Sequence, residues 1–494
     1  MSHNIAKSAI WVTLSEIIFN LSGFIIHSIL GRVLGPADYG RYGIIVTLTT
    51  MVIILIGNGI PTAMAKYISE IFETNPRLIL KIKKQAILIQ TILIAFITGV
   101  FFICAPLISR LLGDPTLTPL FRFSSLIIPA FAAASFYFSY YTGLHRFGTQ
   151  ATLKTVRSFL RIIFVVGMAV LFGLYGSISG YIIAPFIVFV IAYFIDKLVV
   201  DKKIKEKISQ MPQDKTLEVD FNWKKLVNYG WQIVAFFLAY ELLISIDLYM
   251  VKGILHDDAL TGIYNASLTV GRIPYYIFYA MTIFLLPMVS RKSADNNLKN
   301  AQGIINDALR IMLIFLVPMI FLMSVYSTQI LQILYGKRYL AGSLPMSILV
   351  FGVGFLTIFY VLSFAANGAG KTITTMYISL AGLVMNIILN YIFILKIGIL
   401  GSAWATTITS FFIMLAILYY VKKHFGSCID LVELAKVSLS GLILYFLAFL
   451  IPTGKFSFIP LGIAIFLIYL TILYILKGIT KEDLSIFTKI LKKK

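Results

Sequence analysis

"GRVLGPADYGRYG", residues 31–43, stands between two long apolar runs and carries two arginines, an aspartate and four glycines. Polar groups and glycines in that position read as a connector between membrane spans. The glycines permit a tight reversal, and Arg32 and Arg41 sit at its two ends. A degraded copy, "KGILHDDALTGIYN" (252–265), recurs much later in the chain, which makes the connector the marker of an internal repeat.

The rest of the composition agrees with a bilayer as solvent. The 494 residues are 59% hydrophobic and 13% charged, with a mean hydropathy of +0.92, whereas a soluble domain carries about 25% charged residues. Apolar stretches longer than about 18 residues repeat along the chain, so it is an all-α polytopic membrane protein. "MSHNIAKSAIWVTLSEIIFN" runs directly into a full-length span without a cleavage site and is expected to be the first helix. Cys104 and Cys428 offer neither metal spacing nor a disulfide framework. The net charge of +21 has no soluble basic domain to carry it and clusters at span ends. This excludes nucleic acid as a partner and points to orientation and membrane lipids.

Cutting at charge clusters and Gly/Pro turns gives fourteen spans, among them 9–31, 42–62, 121–144, 158–174, 177–195, 227–251, 263–289 and 373–395. With the N-terminus inside, cytoplasmic segments hold 31 Lys and Arg against 9 in external loops. That bias places both termini in the cytoplasm. The expected organisation is a six-helix bundle (1–195), a basic cytoplasmic linker (196–225), a second six-helix bundle (226–421), two extra helices (422–476) and a basic tail (477–494). The bundles align. At a shift of 225, Gly143 meets Gly368, Arg146 meets Lys371, Arg161 meets Asn386 and "YGSISG" (175–180) meets "LGSAWA" (400–405). At 222, "DYGRYG" (38–43) meets "LTGIYN" (260–265), and at 226 Pro61 meets Pro287. Six spans per repeat is an even number, so the repeats are parallel, and a central cavity between them follows.

At these residues the chain resembles the polysaccharide-export flippases of the multidrug/oligosaccharidyl-lipid/polysaccharide (MOP) superfamily. The resemblance rests on the opening stretch, on "NGAGKTITTMYISLAGLVMNIILNYIFI" (367–394) and on "GILGSAWATTITS" (398–410), and covers nearly the whole chain. It implies translocation of a polyprenyl-linked oligosaccharide from the cytoplasmic to the outer leaflet of a prokaryotic cell membrane by alternating access. Other polysaccharide-assembly proteins are implied as neighbours. A multidrug or cation antiporter of the same fold and a flippase for a lipid-linked peptidoglycan precursor are the alternatives.

Ionisable side chains inside spans are costly unless they face a cavity or a partner, so they are the candidate functional residues. Glu16 and His27 fall in the first span, Arg161 in the fifth, Glu241 and Asp247 in the seventh and Arg272 in the eighth. Glu16 and Glu241 lie one repeat apart and are expected to face each other across the cavity. Arg272, beside Pro274 and roughly 14 Å deep at about 1.5 Å per residue, is either locked to Glu241 or Asp247 or anchors a pyrophosphate through its planar guanidinium. Arg161 is expected to snorkel to the inner interface, where Arg146, Lys154 and Arg157 join it in a basic mouth for an anionic headgroup. Glu16 and His27 complete the set for a coupling ion, H+ or Na+, and no other cofactor is called for. Asn386 and Asn390, spaced i, i+4, line the cavity or bridge helices. "GAGK" (368–371) lacks P-loop context, and no nucleophile elbow or HExxH appears, so an enzyme is not expected.

Overall fold

The structure, a computed structural model, describes residues 2–73, 75–210, 221–294, 298–369, 371–426, 431–451 and 453–478. Cys428 and nearly all of the expected tail lie outside them. Among the described residues there is no strand. Contacts divide the chain into two units, Met1–Asn265 and Ala266–Lys494.

The first unit holds α1 (Ser2–Gly57), α2 (Ile60–Ile71), α3 (Pro76–Leu111), α4 (Thr118–Ser124), α5 (Ile127–Gly143), α6 (Phe147–Ile195), α7 (Asp201–Ser209), α8 (Lys224–Leu255) and the first half of α9 (Asp258–Gly271). The second holds the rest of α9, then α10 (Ile273–Ala294), α11 (Leu298–Val325), α12 (Ser327–Leu334), α13 (Ser343–Gly368), α14 (Thr372–Ile397), α15 (Ile399–Phe425), α16 (Leu431–Leu450) and α17 (Phe458–Ile475).

Ten stretches of the described residues are long and apolar enough to cross a bilayer. Two of them, of 61 and 63 residues, are far longer than the ~20 residues one crossing needs. Each bends at a glycine and so supplies two spans: Gly35 (φ 74°) in α1 and Gly173 (φ 57°) in α6. With α8 and the α9–α10 pair, the helices are consistent with the fourteen spans expected.

The opening stretch is not the loop its polarity suggested. It is helical on both sides of Gly35, and Pro36 starts the next helix with a φ already suited to a first turn. The remaining glycines serve close packing. A Cβ at Gly40 would stand 2.8 Å from the Gly262 nitrogen, and one at Gly262 would stand 2.9 Å from the Gly40 nitrogen. The Gly40 Cβ would collide with the carbonyl of Asp258, and the Gly262 Cβ with that of Pro36. Positions 36/258 and 40/262 are each 222 apart, so the contact is reciprocal, as a two-fold relation between repeats requires. Gly43 likewise abuts Asn265, again 222 further on.

The 225 shift is equally plain. Gly173 (φ 57°, ψ −137°) and Gly398 (φ 61°, ψ −139°) turn their hairpins through the same conformation. Gly176 packs on the carbonyl of Met168 and Gly401 on that of Phe393, both pairs displaced by 225.

Three expected spans are broken. The expected 42–62 span parts at Asn58–Gly59, 121–144 parts between α4 and α5, and 263–289 parts at Arg272. The polar stretch from 196 is not a solvated linker at its start. It continues as a π-turn (Asp196–Val200) and α7, with Asp196 fully buried. Lys83 of α3 holds Asp196 at 2.5 Å and Asp201 at 2.7 Å while lying over the Tyr140 ring. Residues 211–220 of the expected linker lie outside the described residues.

Candidate functional site

Lys154, Arg157 and Arg161 occupy positions i, i+3 and i+7 of α6 and therefore share one face. That face packs along α1. Lys154 is ion-paired to Glu16. Arg161 donates from Nη2 to the Phe19 carbonyl (3.0 Å) and to Ser22 Oγ (2.8 Å). The Phe19 ring lies under all three cations, 5.2, 4.8 and 4.3 Å from Lys154, Arg157 and Arg161. Arg157 is further enclosed by Phe131 and Phe138 of α5, at 4.5 and 4.7 Å. Gly23 makes room: a Cβ there would stand 3.1 Å from Arg161 Nη2.

The charge balance is one-sided. Arg157 is 4% exposed and Arg161 8%, yet Glu16 is the only carboxylate bonded to this face among the described residues. Nε and Nη1 of Arg157 and Nε of Arg161 are buried without an acceptor. Cation–π contact offsets part of the desolvation cost, but a buried charge without a counter-ion costs several kcal/mol. An anion placed here would supply both counter-charge and acceptors. The expected snorkelling of Arg161 does not occur, because its guanidinium is bonded to α1 in the interior.

From this face an aromatic seam runs along α1. Arg161 lies 5.9 Å from the Tyr181 ring, Tyr42 donates to Tyr181 (3.0 Å), and His27 packs edge-on to Tyr42 and shares a 2.9 Å hydrogen bond with the Tyr39 hydroxyl. His27 is thus a member of a packed aromatic cluster.

A second charged cluster closes the other end of the seam, where the opening stretch meets α9. Lys252 of α8, almost fully buried, reaches Asp114 (2.9 Å) and Asp258 (2.5 Å), and Arg41 Nε donates to Asp258 (2.7 Å). Burial alone would raise the Asp114 carboxyl, but hydrogen bonds from Thr116 and Lys252 outweigh it and hold the group below its ordinary value. Sequence reasoning missed this cluster, because its members are up to 217 residues apart and only Arg41 carried a local signal.

The other predicted residues sit in surroundings of their own. Glu16 is held by Lys154 from its own half, so the symmetric Glu16/Glu241 arrangement gives way to an ion pair within one bundle. Glu241 is half-buried and accepts from Ser245 (3.4 Å). Asp247 is buried and accepts from Tyr264 (2.8 Å). Arg272 is half-buried at the break between α9 and α10, where Gly271 and Pro274 flank it. Asn386 and Asn390 bridge helices, the second of their two expected roles. Asn390 donates to the Asn386 side chain (2.7 Å) and accepts from Ser402 of α15 (2.7 Å), with both asparagines buried. They clasp α14 to α15. Arg146 caps α6 beside a small cavity shared with α7. Among the described residues no group of three or more His, Cys, Asp or Glu could hold a metal.

A family model described as polysaccharide biosynthesis protein matches residues 5–293, and one described as lipid II flippase MurJ matches 251–474. The chain is 25% identical to uncharacterized membrane protein MJ1375 of Methanocaldococcus jannaschii over 85% of its length and 99% of that protein. It is 24% identical to the probable low-salt glycan biosynthesis flippase Agl15 of Haloferax volcanii over 95% of each chain. A structure of lipid II flippase MurJ in an inward closed conformation superposes with a TM-score of 0.70 at 21% identity, covering 96% of this chain and 98% of the other.

Proposed function

The chain belongs to the polysaccharide biosynthesis protein family, a multi-pass membrane flippase lineage of the MOP superfamily, and from that premise we propose its cargo and its anchor. The cargo is a polyprenyl-(pyro)phosphate-linked oligosaccharide, carried from the cytoplasmic to the outer leaflet. The anchor is the α6 face of Lys154, Arg157 and Arg161. One observation carries the reading: two buried arginines and a half-buried lysine meet a single carboxylate, and three N–H groups of the arginines lack acceptors. A pyrophosphate supplies both the missing charge and the missing acceptors, and guanidinium groups donate to its oxygens in pairs. The greasy tail stays in lipid while the headgroup crosses.

With both termini cytoplasmic, as the Lys and Arg bias supports, the Asp114–Lys252–Asp258–Arg41 cluster lies at the outer end. Release of cargo there requires these pairs and the Gly40/Gly262 crossing to part. An arriving phosphate competes with Glu16 for Lys154, and an H+ or Na+ that neutralises the released carboxylate couples the gradient to the cycle. Arg272, at a helix break, is assigned a second contact to the cargo.

A drug or cation antiporter needs a carboxylate-dominated pocket, the opposite of this face. A lipid-linked peptidoglycan precursor shares the pyrophosphate, and the MurJ model match supports it as the second reading.

The test is leaflet exchange of a polyprenyl-pyrophosphoryl oligosaccharide in proteoliposomes. Losing one charged hydrogen bond costs about 1.5–3 kcal/mol, so Arg157→Gln and Arg161→Gln should each slow exchange roughly 10- to 100-fold, with Arg272→Ala slower than wild type. Wild-type exchange in the folded Arg157→Gln/Arg161→Gln protein would refute the anchor. Drug efflux without glycolipid exchange would give the antiporter reading the advantage, and preference for a peptidoglycan precursor would select the second cargo.

A further inference from the structure

Arg146, removed by the structure from the α6 face, lies in a different constellation. It lines a cavity of about 110 Å³ together with Lys203 and Lys207 of α7, over a floor of Phe72, Ile79 and Ile204. Three cations converge there from two elements, Lys207 stands 5.3 Å from the centre of the Phe72 ring, and no carboxylate lines the cavity among the described residues. The acidic residue nearest in sequence on the buried side of α7, Asp201, is turned to Lys83 and is spent there.

The space admits several waters or one phosphate group and is too small for an oligosaccharide. Its position adds a second constraint. The turns that lead into α7 expose Phe194, Leu198 and Val199, at 54%, 69% and 41%, which suits acyl chains and not water. The helix itself is strongly amphipathic, with Ile204 inward and lysines outward. A basic amphipathic helix that continues a membrane span lies in the interface and attracts acidic headgroups.

We propose that this cavity is a binding site for the phosphate headgroup of an acidic phospholipid, held by Arg146, Lys203 and Lys207 while the acyl chains lie along Phe194 and Leu198. The site stands apart from the α6 face and does not depend on the cargo proposed above. A bound phospholipid ties α7 to the ends of α3 and α5, so the polar segment that follows α6 is fixed to the bilayer by a lipid as well as by Lys83.

The test uses the full-length protein in neutral detergent, with short-chain phosphatidylglycerol, short-chain phosphatidylcholine and inorganic phosphate as separate probes, read by native mass spectrometry. Phosphatidylglycerol is expected to bind one to one and phosphatidylcholine not at all. Each interfacial Lys contributes about 1 kcal/mol, so Lys203→Ala/Lys207→Ala should weaken binding roughly 30-fold. Lys202→Ala/Lys205→Ala removes the same charge from residues that do not line the cavity and should leave binding intact. Equal loss in both double variants would overturn the site in favour of diffuse attraction. Equal binding of phosphatidylcholine, or inorganic phosphate binding as tightly as the lipid, would overturn the assignment to a phospholipid. Circular dichroism of each variant separates loss of the site from loss of the fold, and undiminished phosphatidylglycerol binding in a folded Lys203→Ala/Lys207→Ala protein also overturns it.

Discussion

Gly262→Ala tests the crossing on which the proposed outer closure depends. A Cβ at 262 would stand 2.9 Å from the Gly40 nitrogen and closer still to the Pro36 carbonyl, where ordinary contact begins at 3.4 Å. Relieving the nitrogen contact alone moves α1 and α9 apart by about 0.5 Å, and the carbonyl demands a separation on the order of 1 Å. That stretches the Arg41–Asp258 bond from 2.7 Å to about 3.7 Å, beyond hydrogen-bond range. Overpacking costs about 1–3 kcal/mol and the lost charged bond about 1.5–3 kcal/mol, together about 2.5–6 kcal/mol. Swinging a two-state equilibrium from 1:99 to 99:1 takes about 5.5 kcal/mol, so the substitution is large enough to open the closed end in much of the population. The assay is labelling of Thr261→Cys, at a position that is fully buried, by a membrane-impermeant maleimide after Cys104 and Cys428 are replaced. Gly262→Ala and its symmetry mate Gly40→Ala should both raise the labelling rate and slow leaflet exchange. Gly167→Ala, where a Cβ meets nothing within 4 Å, should do neither. Labelling in Gly262→Ala that matches Gly167→Ala would refute the reasoning.

Other outcomes follow from single features. Gly173→Ala and Gly398→Ala force the same left-handed backbone on a residue with a Cβ and should lower stability by similar amounts, about 1–3 kcal/mol each; a thermal scan in which one is neutral contradicts the repeat geometry. Asn390→Ala strands the Asn386 amide and the Ser402 hydroxyl and should destabilise by about 1–3 kcal/mol with lipid-phosphate affinity unchanged, measured by thermal unfolding beside ligand titration. Asp114 has its carboxyl held below the ordinary range by Thr116 and Lys252. Its contribution is therefore full above the unfolded value, near 4, and is lost as pH falls through the lower folded value. The stability gap between wild type and Asp114→Asn should be flat from about pH 5 to 8 and shrink below about 4; a gap that grows on acidification reverses the sign and rejects the assignment.

Much of the architecture was legible because the chain states it twice. Short matches at shifts of 222 and 225 paired Gly40 with Gly262 and the segments just after Gly173 and Gly398; that the first pair is a close approach and the second a pair of matching positive-φ turns came only from the structure. The opening stretch misled on one point: all four glycines read as a tight reversal, but only Gly35 leaves the helix, and a glycine that packs reads the same in sequence as a glycine that turns. The break at Arg272 had signals in Gly271 and Pro274 that apolar continuity concealed. At the site, the i, i+3, i+7 spacing of Lys154, Arg157 and Arg161 could be read directly. Their depth could not, because it depends on Phe19 and Ser22 lying opposite on α1, more than 130 residues earlier. The Lys252 cluster was hidden for the same reason, since ion pairs between distant segments leave no local pattern.

The central claim is that the buried face of α6 holds a pyrophosphate, and equilibrium binding measures it most directly. Wild-type protein and Arg157→Met/Arg161→Met are titrated with a polyprenyl pyrophosphate and a polyprenyl monophosphate of equal chain length. The account predicts that the wild type prefers the pyrophosphate and that the variant, its unfolding temperature undiminished because two poorly compensated charges are gone, loses at least ~100-fold in affinity at about 1.5–3 kcal/mol per charged contact. Affinity for the pyrophosphate lipid that is the same in both proteins would contradict it.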